Sequence, residues 1–221
     1  MPVRFVLFDA VGTLVTPQPS VTQAYVEVGA RHGANIPATE MARRFRSAYA
    51  RVFSRQRHAE LLTSEAMERE RWQTVIAEVF HETPHVIDAI FAELWDHFAQ
   101  ASHWRIYDDV APLWSHLIEC GYTLGIASNF DQRLRGIVRA SPVLSRATHV
   151  FVSSDLGFAK PSPQFYREVE RRLTAQSDEI LLVGDDFEND VAAPLRVGWR
   201  TAGIDRAAGQ SLSMSLLERE L

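Results

Sequence analysis

Short apolar runs that stop abruptly at polar residues constrain the fold of this chain more than any other feature. Val3 to Phe8 stops at Asp9, Tyr122 to Ala127 at Ser128-Asn129, and Ile180 to Val183 at Gly184-Asp185. Val150 to Ser153 and a run around Arg200 to Gly203 follow the same pattern. Each is too short for a stable helix and rich in β-branched or aromatic residues, as expected of a strand buried on both faces. Helical spacing occupies the stretches between them, near 107–120, 131–140, 163–174, 187–197 and 211–220. Strands alternating with helices predict an α/β fold with a parallel sheet covered on both sides. Such sheets bind ligands outside the carboxyl ends of their strands, where these polar clusters fall.

One long stretch breaks the alternation. After Thr16-Pro17-Gln18-Pro19 the pattern is helical to about residue 100, with helices expected near 20–33, 38–57, 64–81 and 84–100. These predict a four-helix domain inserted over residues 16–104, leaving 1–15 and 105–221 to the sheet domain. Tyr25, Phe45, Tyr49, Phe53, Trp72, Ile76, Phe80, Leu94 and Phe98 fall at helical spacing and are expected to pack its core. Arg43, Arg44 and Arg46 read as a solvated helix face, with anion contacts as the alternative. His58, His81, His85, His97 and His103 also lie in or near the insertion, and nothing in the sequence gives any of them a role.

Charge narrows the partners. The 221 residues carry a formal net charge of −5, which attracts neither nucleic acid nor an anionic membrane, so a small molecule is the expected partner. No apolar run is long enough to span a membrane, and Asp9 interrupts the N-terminal one where a signal peptide would continue, so the expected location is cytoplasmic. Cys120, the single cysteine, rules out an internal disulfide and is expected in the core. The basic residues are 22 arginines and one lysine, Lys160, which marks that position as one where a compact ammonium is needed.

Taken singly, Asp9 with Thr13, Ser128 with Asn129, Lys160, and Gly184-Asp185-Asp186-Phe187-Glu188-Asn189-Asp190 each read equally as turn or helix-cap residues. Together, in this order, they resemble the four motifs of the haloacid dehalogenase-like hydrolase superfamily, over the whole chain. The resemblance implies a Rossmann-like core with a helical cap inserted after the first motif. It implies Asp9 as nucleophile and Ser128 and Lys160 as catalytic partners, with Gly12, Thr13, Ser128, Asn129 and Lys160 contacting substrate. Four acids in one cleft against one lysine imply a divalent cation. Mg²⁺ suits such oxygen ligands, with Asp9, the Val11 backbone carbonyl and Asp185 as direct ligands. Asp190 or Asp186 would bind directly or through water. The implied reaction is hydrolysis of a small phosphorylated metabolite through an aspartyl-phosphate.

Val11 departs from this pattern. Phosphatases of the superfamily carry there a second Asp that protonates the leaving oxygen and then activates water. Valine moves no proton, and that help is typically worth roughly 10²–10⁴ in rate. Two alternatives therefore stand beside the phosphatase: a 2-haloacid dehalogenase, whose departing halide needs no proton, and an impaired binding or regulatory protein. The Phe8 to Leu14 and Ser128 to Asp131 stretches look most like the rhythmically expressed gene 2-like branch.

Overall fold

The structure, a computed structural model, describes residues 2–54, 61–218 and 220–221. The first apolar run forms β1 (Phe5–Phe8), buried throughout. A short β2 (Val15–Pro17) leads into helices α1 (Val21–Arg31), α2 (Ala38–Ser54), α3 (Glu65–Val79) and α4 (Ile87–His97). The chain returns through β3 (Trp104–Ile106) to α5 (Val110–Glu119), β4 (Thr123–Ser128), α6 (Arg133–Ala140) and β5 (His149–Val152). It finishes with α7 (Ser153–Leu156), α8 (Pro163–Leu173), β6 (Ile180–Gly184), α9 (Ala193–Arg196), β7 (Arg200–Gly203) and α10 (Met214–Leu217).

Five strands form one parallel sheet in the order β5-β4-β1-β6-β7. The continuous apolar run of β1 is explained by its central place: Val6 and Phe8 pack with Trp114 and Leu117 on one face, Phe5 and Leu7 with Phe165 and Trp199 on the other. Phe8 stands level with Ile126 of β4 and Val183 of β6, so Asp9, Ser128 and Gly184 leave the sheet along one edge.

The inserted helices have a core of their own, built from residues such as Tyr25, Val28, Met41, Ile76, Phe80 and Leu94. Ser20 caps α1 in a reciprocal pair with Gln23, and Ser64 caps α3, so both helices begin where their hydroxyls accept first-turn amides. A ribbon absent from the sequence reading ties the insertion to the sheet: β2 and β3 pair antiparallel, Val15 with Ile106 and Pro17 with Trp104. Pro17 reads as a strand breaker, yet at the end of an isolated ribbon its missing N–H costs no ladder bond.

Several helices are shorter than their apolar spacing suggests. The 107–120 helix begins only at Val110, and the last turn of the chain is confined to Met214–Leu217. The 84–100 helix opens as a tight turn at Pro84–Val86 and ends at His97. The 187–197 segment is a π-helical turn, Phe187–Ala192, followed by α9. Pro194 explains part of this, since it has no N–H to give the carbonyl of Asp190. The expected loop 155–162 begins inside α7. Residues 55–57 of the second expected helix, and His58, lie outside the described residues. Cys120 corrects its expectation: it is exposed at the end of α5, one turn past the buried stripe that ends at Leu117.

Candidate active site

Lys160 is buried, 4% exposed, and its ammonium joins three chain segments. Nζ donates to Asp9 Oδ1 at 2.8 Å, to Asp190 Oδ1 at 2.6 Å and to the Ala127 carbonyl at 2.9 Å. Three bonds diverging from one nitrogen suit an ammonium, whereas a guanidinium presents its donors in a flat fork. This is why the single lysine stands here among arginines. Asn129 fixes the lysine's backbone: its Nδ2 donates to the Lys160 carbonyl at 2.8 Å and its Oδ1 accepts from the Lys160 amide at 2.7 Å.

The loop after β1 is shaped by Asp185. Gly12 has φ +88°, and a Cβ there would collide with the Asp185 carboxylate. Its amide donates inward to the Val15 carbonyl at 2.9 Å, so the part Gly12 plays in this conformation is the space it leaves. Thr13, fully buried, donates its hydroxyl to Asp185 Oδ1 at 3.0 Å. Gly184 repeats the device, since a Cβ on it would strike the Asp190 carboxylate. Asp190 Oδ2 accepts from the Asp186 amide at 3.1 Å, while the Asp186 side chain caps the π-helical turn through the Asn189 amide at 2.8 Å. Among the described residues no hydrogen bond reaches the Val11 carbonyl.

Asp9, Asp185 and Asp190 each offer a carboxylate oxygen within 4.8 Å of the others. Burial pushes the Asp9 carboxyl up; Lys160 pulls against it and Asp185 adds repulsion. Asp190 is raised by burial in the same way, and so is the more open Asp185, where Thr13 opposes the shift. Burial also works against the charge on Lys160, but Asp190 and Asp9 overcome it and hold the ammonium protonated. The Ser128 hydroxyl lies beside Asp9 and favours its ionised form. Three carboxylates facing one ammonium leave two negative charges uncompensated, and their donor atoms are all hard oxygens. That donor set fits a divalent cation such as Mg²⁺.

The model of the haloacid dehalogenase-like hydrolase family matches residues 3–198. The chain belongs to that family. Haloacid dehalogenase-like hydrolase domain-containing protein 3 of Danio rerio is 25% identical over 225 residues, covering 98% of this chain and 90% of its own. The rhythmically expressed gene 2 protein of Drosophila melanogaster is 23% identical, covering 90% of this chain and 82% of its own. Glyceraldehyde 3-phosphate phosphatase of Methanopyrus kandleri is 28% identical over 119 residues, 52% of this chain and 50% of that protein. Among solved structures, the defluorinating L-2-haloacid dehalogenase Rha0230 shares the fold with a TM-score of 0.71 at 21% identity over 95% of this chain and 84% of its own. The magnesium-bound HAD-hydrolase YfnB of Bacillus subtilis does so with a TM-score of 0.72 at 18% identity over 92% and 89%.

In this haloacid dehalogenase-like hydrolase a cavity of about 290 Å³ lies between the helical insertion and the sheet domain. The core contributes Val11, Asn129, Phe130 and Arg133 to its wall. The inserted helices contribute rings, among them Tyr25, Phe45, Tyr49 and Trp72. The sequence reading took these aromatics for core packing. Tyr25 does pack on Phe80 and Phe45, but Tyr49 is 42% exposed and turns its side chain to the cavity. Arg43 and Arg44 are occupied elsewhere, both on Glu40 and Arg44 also on Glu82, in keeping with a solvated face. His97 stacks on His103 at 3.7 Å, and the pair lines a separate hollow with Glu27, Arg31 and Glu93.

Two contacts that the sequence did not announce hold insertion and core together. Arg133 chelates the buried Asp131 through Nε at 2.8 Å and Nη2 at 2.7 Å, and its guanidinium lies 3.5 Å from the Trp95 ring centroid. Leu62 and Phe158 form an antiparallel bridge, with the Thr63 amide on the Gly157 carbonyl at 3.0 Å and the Ala159 amide on the Leu61 carbonyl at 2.9 Å. A third, at the other end of the site, braces the first motif. Arg206 donates to the Thr13 carbonyl at 2.7 Å and to Asp109, which also accepts the Leu212 amide at 2.7 Å. No motif marks Arg206; only its distant partners give it a place.

Proposed function

We propose that this hydrolase is a Mg²⁺-dependent phosphatase that uses Asp9 as nucleophile, with residues 1–15 and 105–221 as catalytic core and 16–104 as cap. The observation that carries the reading is the oxygen-only cluster of Asp9, Asp185 and Asp190 around Lys160. A dehalogenase acting on a carboxylate substrate has no use for two further acids beside its nucleophile, and they would repel that substrate. Asp9, Asp185, Asp190 and the Val11 carbonyl would hold the cation, with Asp186 placed to reach it through water. When bound, it neutralises the acids and polarises a phosphoryl oxygen.

Lys160 orients the Asp9 carboxylate, keeping one oxygen engaged, and offers positive charge to a transferring phosphoryl group. Ser128, whose hydroxyl lies beside Asp9, donates to a phosphoryl oxygen. Asn129 sets the Lys160 backbone, and Thr13 with Gly12 sets Asp185. An Asp9 oxygen attacks phosphorus, the leaving group departs with its bonding electrons, and water then releases phosphate from the aspartyl-phosphate.

The test uses acetyl phosphate, whose carboxylate leaving group needs no protonation, with Mg²⁺ or with chelator. Phosphate release should require Mg²⁺ and fall by at least ~10³-fold in Asp9→Asn. Absence of release from folded, Mg²⁺-supplied protein, or release undiminished in Asp9→Asn, rejects the reading; halide release from a 2-haloacid would then mark a dehalogenase.

A further inference from the structure

We infer that the cavity beside Val11 receives the leaving group and that this group is aromatic, so that the substrate class is a phosphate monoester of a phenol-type alcohol. The inference rests on the phosphatase reading and gives it a substrate.

Position comes first. Val11 and Asn129 line the cavity, two residues beyond Asp9 and one beyond Ser128, so the space adjoins the loops that carry both. Val11 is 36% exposed, an apolar side chain displayed where the first motif meets the cavity. Tyr49, from the inserted helices, lines the same cavity as Val11.

The walls then restrict the occupant. Aromatic rings from the inserted helices face Val11 and Phe130, and the volume of about 290 Å³ is close to twice the ~150 Å³ that takes up benzene. One or two fused rings fill it. A sugar or polyol would bring several hydroxyls against walls made chiefly of rings and aliphatic side chains, where the Arg133 donors are already on Asp131 and on the Trp95 carbonyl. A second anionic group on the substrate meets the same difficulty, because Asp131 neutralises Arg133, the one cation in the wall among the described residues. Polar atoms do meet the space. Tyr25 and Tyr49 line the cavity, and among the described residues neither hydroxyl makes a hydrogen bond. A polar atom on the ring system would find a partner there.

The chemistry converges on the same class from Val11. An Asp9 carboxylate oxygen forms a bond to phosphorus while the P–O bond to the ring breaks, and the electron pair stays on the phenolic oxygen. A phenol has a pKa near 10 against about 16 for water, so it leaves as phenolate and takes its proton from solvent afterwards. An alkoxide would need the acid that Val11 does not supply. Water then attacks the aspartyl-phosphate, loses a proton to solvent, and restores the Asp9 carboxylate with release of inorganic phosphate.

The experiment has three arms on the full chain. Acetyl phosphate turnover with Mg²⁺ reports the phosphatase reading alone. 1-Naphthyl phosphate is expected to show a KM about tenfold or more below that of acetyl phosphate. 1-Naphthol, titrated by tryptophan fluorescence without metal, should bind, and about tenfold more weakly in Val21→Trp, which fills the cavity, with Tyr25→Phe weakened several-fold as the volume-conserving variant. Circular dichroism confirms that each variant is folded. Turnover of acetyl phosphate with no KM advantage for the naphthyl ester, or naphthol affinity unmoved by both variants, overturns the aromatic class and leaves the phosphatase standing. Failure of acetyl phosphate overturns both.

Discussion

The two walls of the cleft are built on opposite principles. On the sheet side nearly every polar atom has a named partner: Lys160 on Asp9 and Asp190, Thr13 on Asp185, Asn129 on the Lys160 backbone. On the helical side the wall is largely aromatic rings, with the hydroxyls of Tyr25 and Tyr49 meeting the cavity. Charge held by fixed hydrogen bonds tolerates almost no change of shape or chemistry, because each bond lost strands a buried partner. A wall of rings tolerates any ligand of suitable size. On the proposed function, the first wall carries the reaction and the second selects what reacts.

The comparison breaks most severely at the hub. Lys160→Met leaves Asp9 and Asp190 buried without their cation, which should lower stability by about 3–5 kcal/mol in urea unfolding and abolish turnover. Gly184→Ala acts on the same wall more gently. Its new methyl meets the Asp190 carboxylate, so a loss of about 1–3 kcal/mol is expected together with loss of activity; a normal melting curve would show that Asp190 has room to retreat. Val11→Asp carries the character of one wall into the other. It should raise turnover of alkyl phosphates by about 10²-fold while weakening naphthol binding, and unchanged alkyl turnover would mean that another group already supplies the proton.

The smallest effect tests the brace behind the first motif. Despite burial, which works the other way, hydrogen bonds from Arg206 and the Leu212 amide hold the Asp109 carboxyl below its usual value of 3.8. A carboxylate depressed on folding contributes stability that is complete above its unfolded pKa and is lost as pH falls through its folded one. Asp109→Asn should therefore cost about 1–2 kcal/mol at pH 7, and the gap to the native protein should close below about pH 4. A gap that persists in acid would assign the loss to packing instead of charge.

What could be read from the sequence follows the same division. Buried strands announce themselves by composition, and the residues ending them are brought together by the parallel sheet alone, so Asp9, Ser128, Lys160 and Asp185 were legible before any coordinates. The lone lysine was legible because its chemistry differs from that of the arginines around it. The cavity was not. Rings that pack and rings that line a space share the same helical spacing, and only the angle between helices decides which of them, Phe80 or Tyr49, ends up facing the void. The Arg133–Asp131 clasp and the Arg206 brace were hidden for another reason: their partners lie on other elements, where periodicity carries no information. Gly12 was expected at the substrate; what the sequence did not show is that its amide is held on the Val15 carbonyl and that its missing side chain leaves room for the Asp185 carboxylate.

The bridge between Leu62 and Phe158 places a built-in reporter beside the site. The Thr63 amide is held on the Gly157 carbonyl and the Ala159 amide on the Leu61 carbonyl, so both protons are shared between insertion and core. Ala159 is covalently next to Lys160, whose ammonium is held by Asp9 and Asp190. Deuterium exchange at these two amides should therefore read any parting of insertion and core one residue away from the ammonium.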